Sequence, residues 1–71
     1  MTRYKAMAAA LIRARGSTPK EEVCQAVGIS LAALKAYESG QRIPRDSIQF
    51  RLARFYHKGL SELFFVPESM A

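Results

Sequence analysis

The stretch that decides the fold runs from Lys20 to Gly40 and reads KEEVCQAVGISLAALKAYESG. Gly28 divides it into two segments, each the length of a short helix. A glycine readily adopts the left-handed backbone conformation that ends one helix and begins a tight turn. Ser30 follows as an N-cap for a second helix, which Gly40 ends. We therefore predict two short helices joined by a tight turn, with the second helix (about residues 30–39) presented to a partner.

The segment before this stretch is predicted to be a helix over about residues 3–15, between Thr2 as its N-cap and Gly16 as its end. Its apolar residues recur with the spacing of one helix face, and they are Tyr4, Met7, Ala8, Leu11 and Ile12. The next helix is predicted to start with Thr18 as its cap, Pro19 at the first helical position and Glu21 completing a capping box.

Two further helices are predicted after the loop 41–44. The fourth starts at Arg45 or Asp46, and its apolar face consists of Ile48, Leu52, Phe55 and Tyr56. The fifth is an apolar segment from Leu60 to Val66. Because the period-two alternation of strands is absent, we predict an all-α protein: a compact five-helix domain over residues 1–66, followed by a short flexible tail at 67–71.

The composition and net charge of the chain indicate what kind of partner it binds. A chain of 71 residues forms one domain at most. Its net charge of +5 and its pI near 9.9 favour a polyanionic partner such as nucleic acid. The alternative is a small basic protein whose cations lie on solvated helix faces.

The residues that carry enzyme and metal chemistry are scarce. The chain has one Cys and one His, no glycine-rich phosphate loop and no cluster with metal-ligand spacing. Its longest apolar run near the N-terminus, Ala6 to Ile12, is far shorter than the roughly 20 residues that span a bilayer. We therefore expect a cytoplasmic protein that is not an enzyme and that uses no metal, cofactor, membrane or small-molecule ligand.

The chain resembles the helix-turn-helix domain of the phage repressor and Cro class, the XRE family, over about residues 7–65. The resemblance rests on EEVCQAVGIS at 21–30, YESG at 37–40, Arg42, Pro44 and GLSELF at 59–64. Such a domain needs a small residue between its two crossing helices, a turn residue and a buried aliphatic residue; Cys24, Gly28 and Leu34 occupy these places. The resemblance implies a fold like that of lambda repressor, with helices 2 and 3 as the helix-turn-helix, and a bacterial or phage DNA-binding transcriptional regulator.

In this family the N-terminal half of helix 3 enters the major groove of double-stranded DNA. The start of helix 2, the loop after helix 3 and the start of helix 4 contact phosphates. The resemblance therefore implies that the DNA-binding residues are Thr18, Lys20, Ser30, Leu31, Ala32, Lys35, Ala36, Gln41, Arg42 and Arg45.

The chain departs from the family on the base-reading side of helix 3. The family usually has polar residues where this chain has Leu31, Ala32, Ala33 and Ala36. One consequence is weak base readout that depends on Lys20, Lys35 and DNA shape, with apolar contact to thymine methyl groups. The other is a protein-interaction module that keeps the fold but presents the apolar face of helix 3 to protein.

The family pattern also suggests one structural contact, and the surplus of apolar residues in helix 5 suggests another. Arg13 and Glu38 match a pair that ties helix 1 to the end of helix 3. A phage-repressor-type regulator works as a homodimer, and the candidate dimer surface is the apolar set Leu60, Phe64, Phe65 and Val66. The alternative for this set is that helix 5 closes the core of the monomer.

Overall fold

In a computed structural model that describes residues 4–65, the chain forms five α-helices. They are α1 (Lys5–Arg15), α2 (Lys20–Val27), α3 (Leu31–Glu38), α4 (Asp46–Tyr56) and α5 (Leu60–Phe64). The described residues contain no strand, so the prediction of an all-α protein with five helices is confirmed. The predicted cap at Thr2, Val66 and the tail at 67–71 lie outside the described residues.

The core lies at the centre of a closed ring of helix contacts. α1 packs against α3 and α5, α2 packs against α3 and α4, and α4 packs against α5. Every helix contributes at least one side chain that solvent hardly reaches, and these are Leu11, Val23, Val27, Leu34, Leu52 and Leu63. Burying one such side chain contributes roughly 1.5–3 kcal/mol. α3 therefore packs between α1 and α2, and the side of α3 that faces away from both helices is open to solvent.

The turn between α2 and α3 has the geometry that its sequence predicts. Gly28 adopts left-handed backbone angles, φ 80° and ψ 42°, and its N–H donates to the carbonyl of Cys24 at 2.8 Å. Ser30 then caps α3, because its Oγ accepts a hydrogen bond from the N–H of Ala33 at 3.0 Å. A Cβ on Gly28 would meet only a side-chain nitrogen of Arg51 at 3.5 Å. The requirement for glycine is therefore one of backbone conformation rather than of space.

The predicted start of α2 is wrong in its details. Pro19 has φ −59° and ψ 142°, so it precedes the helix instead of occupying its first position, and no side chain caps the helix. The proline ring fixes φ but leaves ψ free to be extended. The carbonyl of Pro19 accepts from the N–H groups of Glu22 and Val23 at 3.1 and 3.4 Å. The predicted capping box of Thr18 and Glu21 is therefore absent.

The fifth helix closes the monomer. Leu63 and Phe64 are 2% and 7% exposed, and Leu60 is half-buried against the same core. Phe64 is therefore covered within the monomer and Leu60 partly so, which favours the alternative that α5 closes the core between α1 and α4. Phe65 is 65% exposed. It remains the one described member of the predicted dimer surface that does not serve the core.

Candidate nucleic-acid interface

The open side of α3 is short and mostly apolar. Leu34, Tyr37 and Glu38 point into the domain and are buried. The outer side chains are those of Leu31, which is 36% exposed, Ala32 and Lys35, and the methyl groups of Ala33 and Ala36 are half-buried beside them. An eight-residue helix is about 12 Å long, which suits the width of one DNA major groove.

Two grooves flank this open side of α3, and each has cations on its walls. The first groove lies towards α1 and the start of α2, and it contains Lys20 and Lys35. The second groove lies towards the loop and the start of α4, and it contains Arg42, Arg45 and Ser30. The structure therefore brings together the cations that the sequence placed far apart, on both sides of one helix.

The loop after α3 is held against that helix. The N–H of Gln41 donates to the carbonyl of Ala36 at 3.0 Å. The guanidinium carbon of Arg42 lies 5.6 Å from the ring centroid of Tyr37, a cation–π distance. These contacts keep Arg42 beside α3, with a charge available for a phosphate.

Nine of the ten predicted DNA-binding residues lie on α3, in the two grooves or in the loop bonded to α3, and the tenth, Thr18, precedes α2. Thr18, Lys20 and Ala36 are half-buried, and the exposed members are Ser30, Leu31, Ala32, Lys35, Gln41, Arg42 and Arg45.

An ion pair fixes the end of α3, but it is not the predicted one. Glu38 accepts from Arg15 in a two-pronged arrangement, Nε to Oε2 at 2.7 Å and Nη2 to Oε1 at 3.0 Å. Nη1 of Arg15 also donates to the carbonyl of Thr18 at 3.1 Å. The hydrogen bond to Glu38 raises the pKa of Arg15, against a smaller opposing effect of burial. One guanidinium thus joins the ends of α1 and α3 and the connection before α2.

The predicted partner of Glu38, Arg13, lies elsewhere. Arg15 follows the buried Leu11 by four residues, so it lies on the inward face of α1, whereas Arg13 is rotated from Arg15 by about 200° around the helix. Arg13 is exposed and lines a shallow groove with Lys58 and Glu62 near α5. The correct arginine could have been found from the helix period, because i and i+4 share a face.

The order of these elements is that of a known family. A family model described as helix-turn-helix matches residues 7–63, which is most of the chain. The chain belongs to this helix-turn-helix family. It is the XRE family of phage repressor and Cro type domains, a family of DNA-binding regulators and not of enzymes. No curated protein and no solved structure matches the chain at a significant level.

Within this helix-turn-helix domain, two carboxylates at the start of α2 oppose the electrostatic attraction of DNA. Glu21 and Glu22 occupy the first turn of α2 and are exposed. The N-terminus of a helix attracts anions through its free N–H groups and its dipole. Two negative side chains at that end repel a phosphate that approaches it. Lys20, which precedes them, supplies the opposing positive charge.

Cys24 takes part in packing in the helix-turn-helix domain. It is half-buried and packs against the core where α2 meets α3. Burial raises the pKa of its thiol, and the charges of Glu21 and Glu38 raise it further. The thiol therefore stays protonated and unreactive near neutral pH.

The described part of the chain has neither the side-chain cluster of a metal site nor a membrane-spanning helix. Among residues 4–65, no group of three His, Cys, Asp or Glu side chains is arranged to hold a metal ion. No helix in that range is long and apolar enough to cross a membrane.

Proposed function

We propose that the domain is a phage-repressor-type transcriptional regulator that acts as a homodimer on double-stranded DNA in the cytoplasm. In this proposal α3 enters the major groove, and Lys20, Lys35, Arg42 and Arg45 contact phosphates on either side of it. The observation that carries the proposal is the pair of cation-bearing grooves that flank the one open face of α3.

We assign phosphate contacts to the loop after α3 and base contacts to α3 itself, because of the kind of contact that each element can make. Phosphate contacts fix the position of a protein on the duplex, and base-edge contacts select the sequence. The exposed loop residues Gln41, Arg42 and Arg45 suit phosphates, because they lie beside α3 and not on its groove-facing surface. The N-terminal half of α3 would then meet the bases.

The rigid attachment of α3 supports this role. The ion pair between Arg15 and Glu38 ties its C-terminal end to α1, and the Ser30 cap stabilises its first turn. Base discrimination requires that side chains keep their position to within a fraction of an ångström. A helix with an ion pair to its neighbour and a capped first turn meets that requirement better than a helix held only by its apolar face.

A dimer is proposed because one eight-residue helix contacts few base pairs. Two-fold pairing places two recognition helices roughly 34 Å apart, one turn of the duplex. Phe65, exposed at the end of α5, is the described member of the predicted set that is best suited to such a contact.

The second candidate function is protein recognition through α3, and the exposed side chain of Leu31 next to Ala32 favours it. The two functions differ in their salt dependence. Binding to DNA that neutralises several phosphates weakens steeply as salt rises, whereas an apolar protein contact does not.

The test is selection of bound duplexes from a random DNA pool, followed by affinity measurements across a salt series. We expect a palindromic consensus and a steep loss of affinity with salt. Replacing Arg42 and Arg45 by Glu should weaken binding by at least roughly tenfold at low salt, because phosphate contacts supply much of the affinity.

Arg54→Glu is the matched control for these charge reversals. Arg54 is exposed on α4, in a groove against the end of α2 and away from the open face of α3. Equal losses in Arg54→Glu and in the double variant would count against the proposed interface. If the protein bound no duplex at low salt, the proposal of DNA binding would be contradicted and the protein-interaction module would be favoured.

A further inference from the structure

The surface that α3 would present to bases offers almost no hydrogen-bonding groups. Ser30 Oγ already accepts the N–H of Ala33, so its hydroxyl hydrogen and one oxygen lone pair are the polar groups that it still offers. Glu38 is buried and engaged with Arg15. Lys35 is the single charged side chain on the outer face of the helix. What remains is aliphatic: the isobutyl group of Leu31 and the methyl group of Ala32, with Ala36 half-buried beside them.

Positively charged side chains flank this apolar patch on two sides. Lys20 and Lys35 line the groove on one side of α3, and Arg42 and Arg45 line the groove on the other side. An apolar patch with cations on both sides is complementary to a partner that has an apolar group between two rows of negative charge. The DNA major groove has this arrangement, because phosphates border it and the C5-methyl group of thymine projects into it.

Only one feature of a base edge is apolar. Guanine, adenine and cytosine present hydrogen-bond donors or acceptors in the major groove, and these need polar partners such as Arg, Asn or Gln. Leu31, Ala32 and Ala36 cannot supply such partners. They can bury a methyl group at the C5 position of a pyrimidine, which gains free energy through the hydrophobic effect.

We propose that α3 selects its site mainly by burying pyrimidine C5-methyl groups against Leu31, Ala32 and Ala36, with Lys35 as the only charged group available to a base. This inference rests on the proposed function and names the chemical feature of the DNA that is read. Thymine and 5-methylcytosine share that feature.

The test starts from the duplex that the random pool selects, bound by the full 71-residue chain. Each thymine is replaced in turn by deoxyuridine, which differs only by the absence of the methyl group. At the contacted positions we expect an approximately fourfold loss of affinity per methyl group, because a buried methylene contributes about 0.8 kcal/mol.

A second set of duplexes identifies the source of the methyl group. At each sensitive position the thymine pair is replaced by a cytosine pair, with or without the 5-methyl group. Tighter binding of the methylated form means that the protein reads the methyl group on either pyrimidine. Sensitivity to deoxyuridine without any effect of cytosine methylation assigns the contact to thymine.

Variants connect the effect to α3. Leu31→Ala should bring the ratio of thymine to deoxyuridine affinity towards one at the position that Leu31 contacts. The substitution spares the fold because the side chain lies on the surface. Phe50→Ala is the control, since Phe50 is 60% exposed on α4 and lines neither flanking groove. It should leave the ratio unchanged.

The outcomes separate the two levels of the proposal. Equal affinity for thymine and deoxyuridine at every position, in a duplex that is still bound in a salt-dependent way, overturns methyl reading and leaves DNA binding in place. Absence of binding to any duplex overturns both. Loss of the ratio in Phe50→Ala as well as in Leu31→Ala would mean that the methyl effect does not come from α3.

Discussion

Arg15 has the widest structural role of any single polar side chain at the interface. Its guanidinium satisfies both carboxylate oxygens of Glu38 and the carbonyl of Thr18. With Arg15 removed, the carboxylate of Glu38, which is 8% exposed, is left without that partner. Leaving a buried polar or charged group unpaired costs more than the pair contributes when it is intact.

We therefore expect Arg15→Ala to lower the free energy of unfolding by about 2 kcal/mol. The matched control is Arg13→Ala, which removes the same charge from the same helix at an exposed position and should cost less than about 0.5 kcal/mol. Urea denaturation of both variants measures the difference. Equal losses would mean that the pair contributes nothing beyond its charge.

Tyr56 presents the opposite case, a polar atom without a partner. Its Oη is buried and has no hydrogen-bond partner among residues 4–65. Burial, with a smaller contribution from the nearby carboxylate of Glu38, raises the pKa of this phenol to about 12. A group whose pKa is higher in the folded state stabilises that state while it is protonated. The contribution of the protonated phenol to the free energy of unfolding should therefore be fully present below about pH 10. It should be lost as the pH rises towards 12.

Tyr56→Phe removes the unpaired hydroxyl and keeps the ring, whose edge-to-face contact with Phe55 has a centroid distance of 5.3 Å. We expect the variant to be as stable as the parent or more stable by up to about 1 kcal/mol near neutral pH. Its denaturation midpoint should also fall less steeply between pH 10 and 12. A clear loss of stability at neutral pH would show that the hydroxyl has a partner.

At the scale of the helices, the signals at the turn between α2 and α3 predicted the structure, whereas those at the start of α2 and at the end of α1 did not. Gly28 and Ser30 determine the turn and the cap through their own backbone and side chain, and both have the predicted geometry. The choice between Arg13 and Arg15 depends instead on which face of α1 is turned towards α3. The helix period places Arg15 on the face of the buried Leu11, and the family pattern, which does not include that rotation, gave the wrong arginine.

Helix ends show the same division. The sequence placed the start of α4 correctly at Arg45 or Asp46. It gave no sign that His57 ends that helix in a left-handed conformation, with φ 57° and ψ 44°. Histidine adopts such angles less readily than glycine. The position is recognisable only once the structure shows the turn that leads to α5.

The first turn of α2 gives a prediction about binding at this scale. Glu21 and Glu22 repel phosphates near the N-terminus of the helix. Replacing both by Gln should strengthen DNA binding about fivefold at low salt, with the gain decreasing as salt screens the charges. The measurement is a titration of one duplex at two salt concentrations. A gain that is independent of salt would point to a change in contacts rather than in electrostatic repulsion.

At the scale of the whole molecule, the apolar residues near the end of the chain divide between core and surface. The number of apolar residues follows from the sequence but their directions do not, because a five-residue helix is too short to show a clear period. Phe64 turned out to close the core and Phe65 to face outwards. Of the three described members of the predicted set, Phe65 therefore offers the one exposed apolar side chain to the proposed homodimer.

This division makes the dimer testable with two adjacent residues. Phe65→Asp should leave the monomer folded but weaken the dimer, so that sedimentation shows a lighter species and the palindromic duplex is bound no better than a half-site. Phe64→Asp places a charge in the core, where a buried unpaired carboxylate costs several kcal/mol, and should unfold the domain. Phe50→Asp introduces the same charge at an exposed phenylalanine on α4 and should change neither property. If Phe65→Asp retained full dimerisation and full preference for the palindrome, the second copy would have to be bound through another surface.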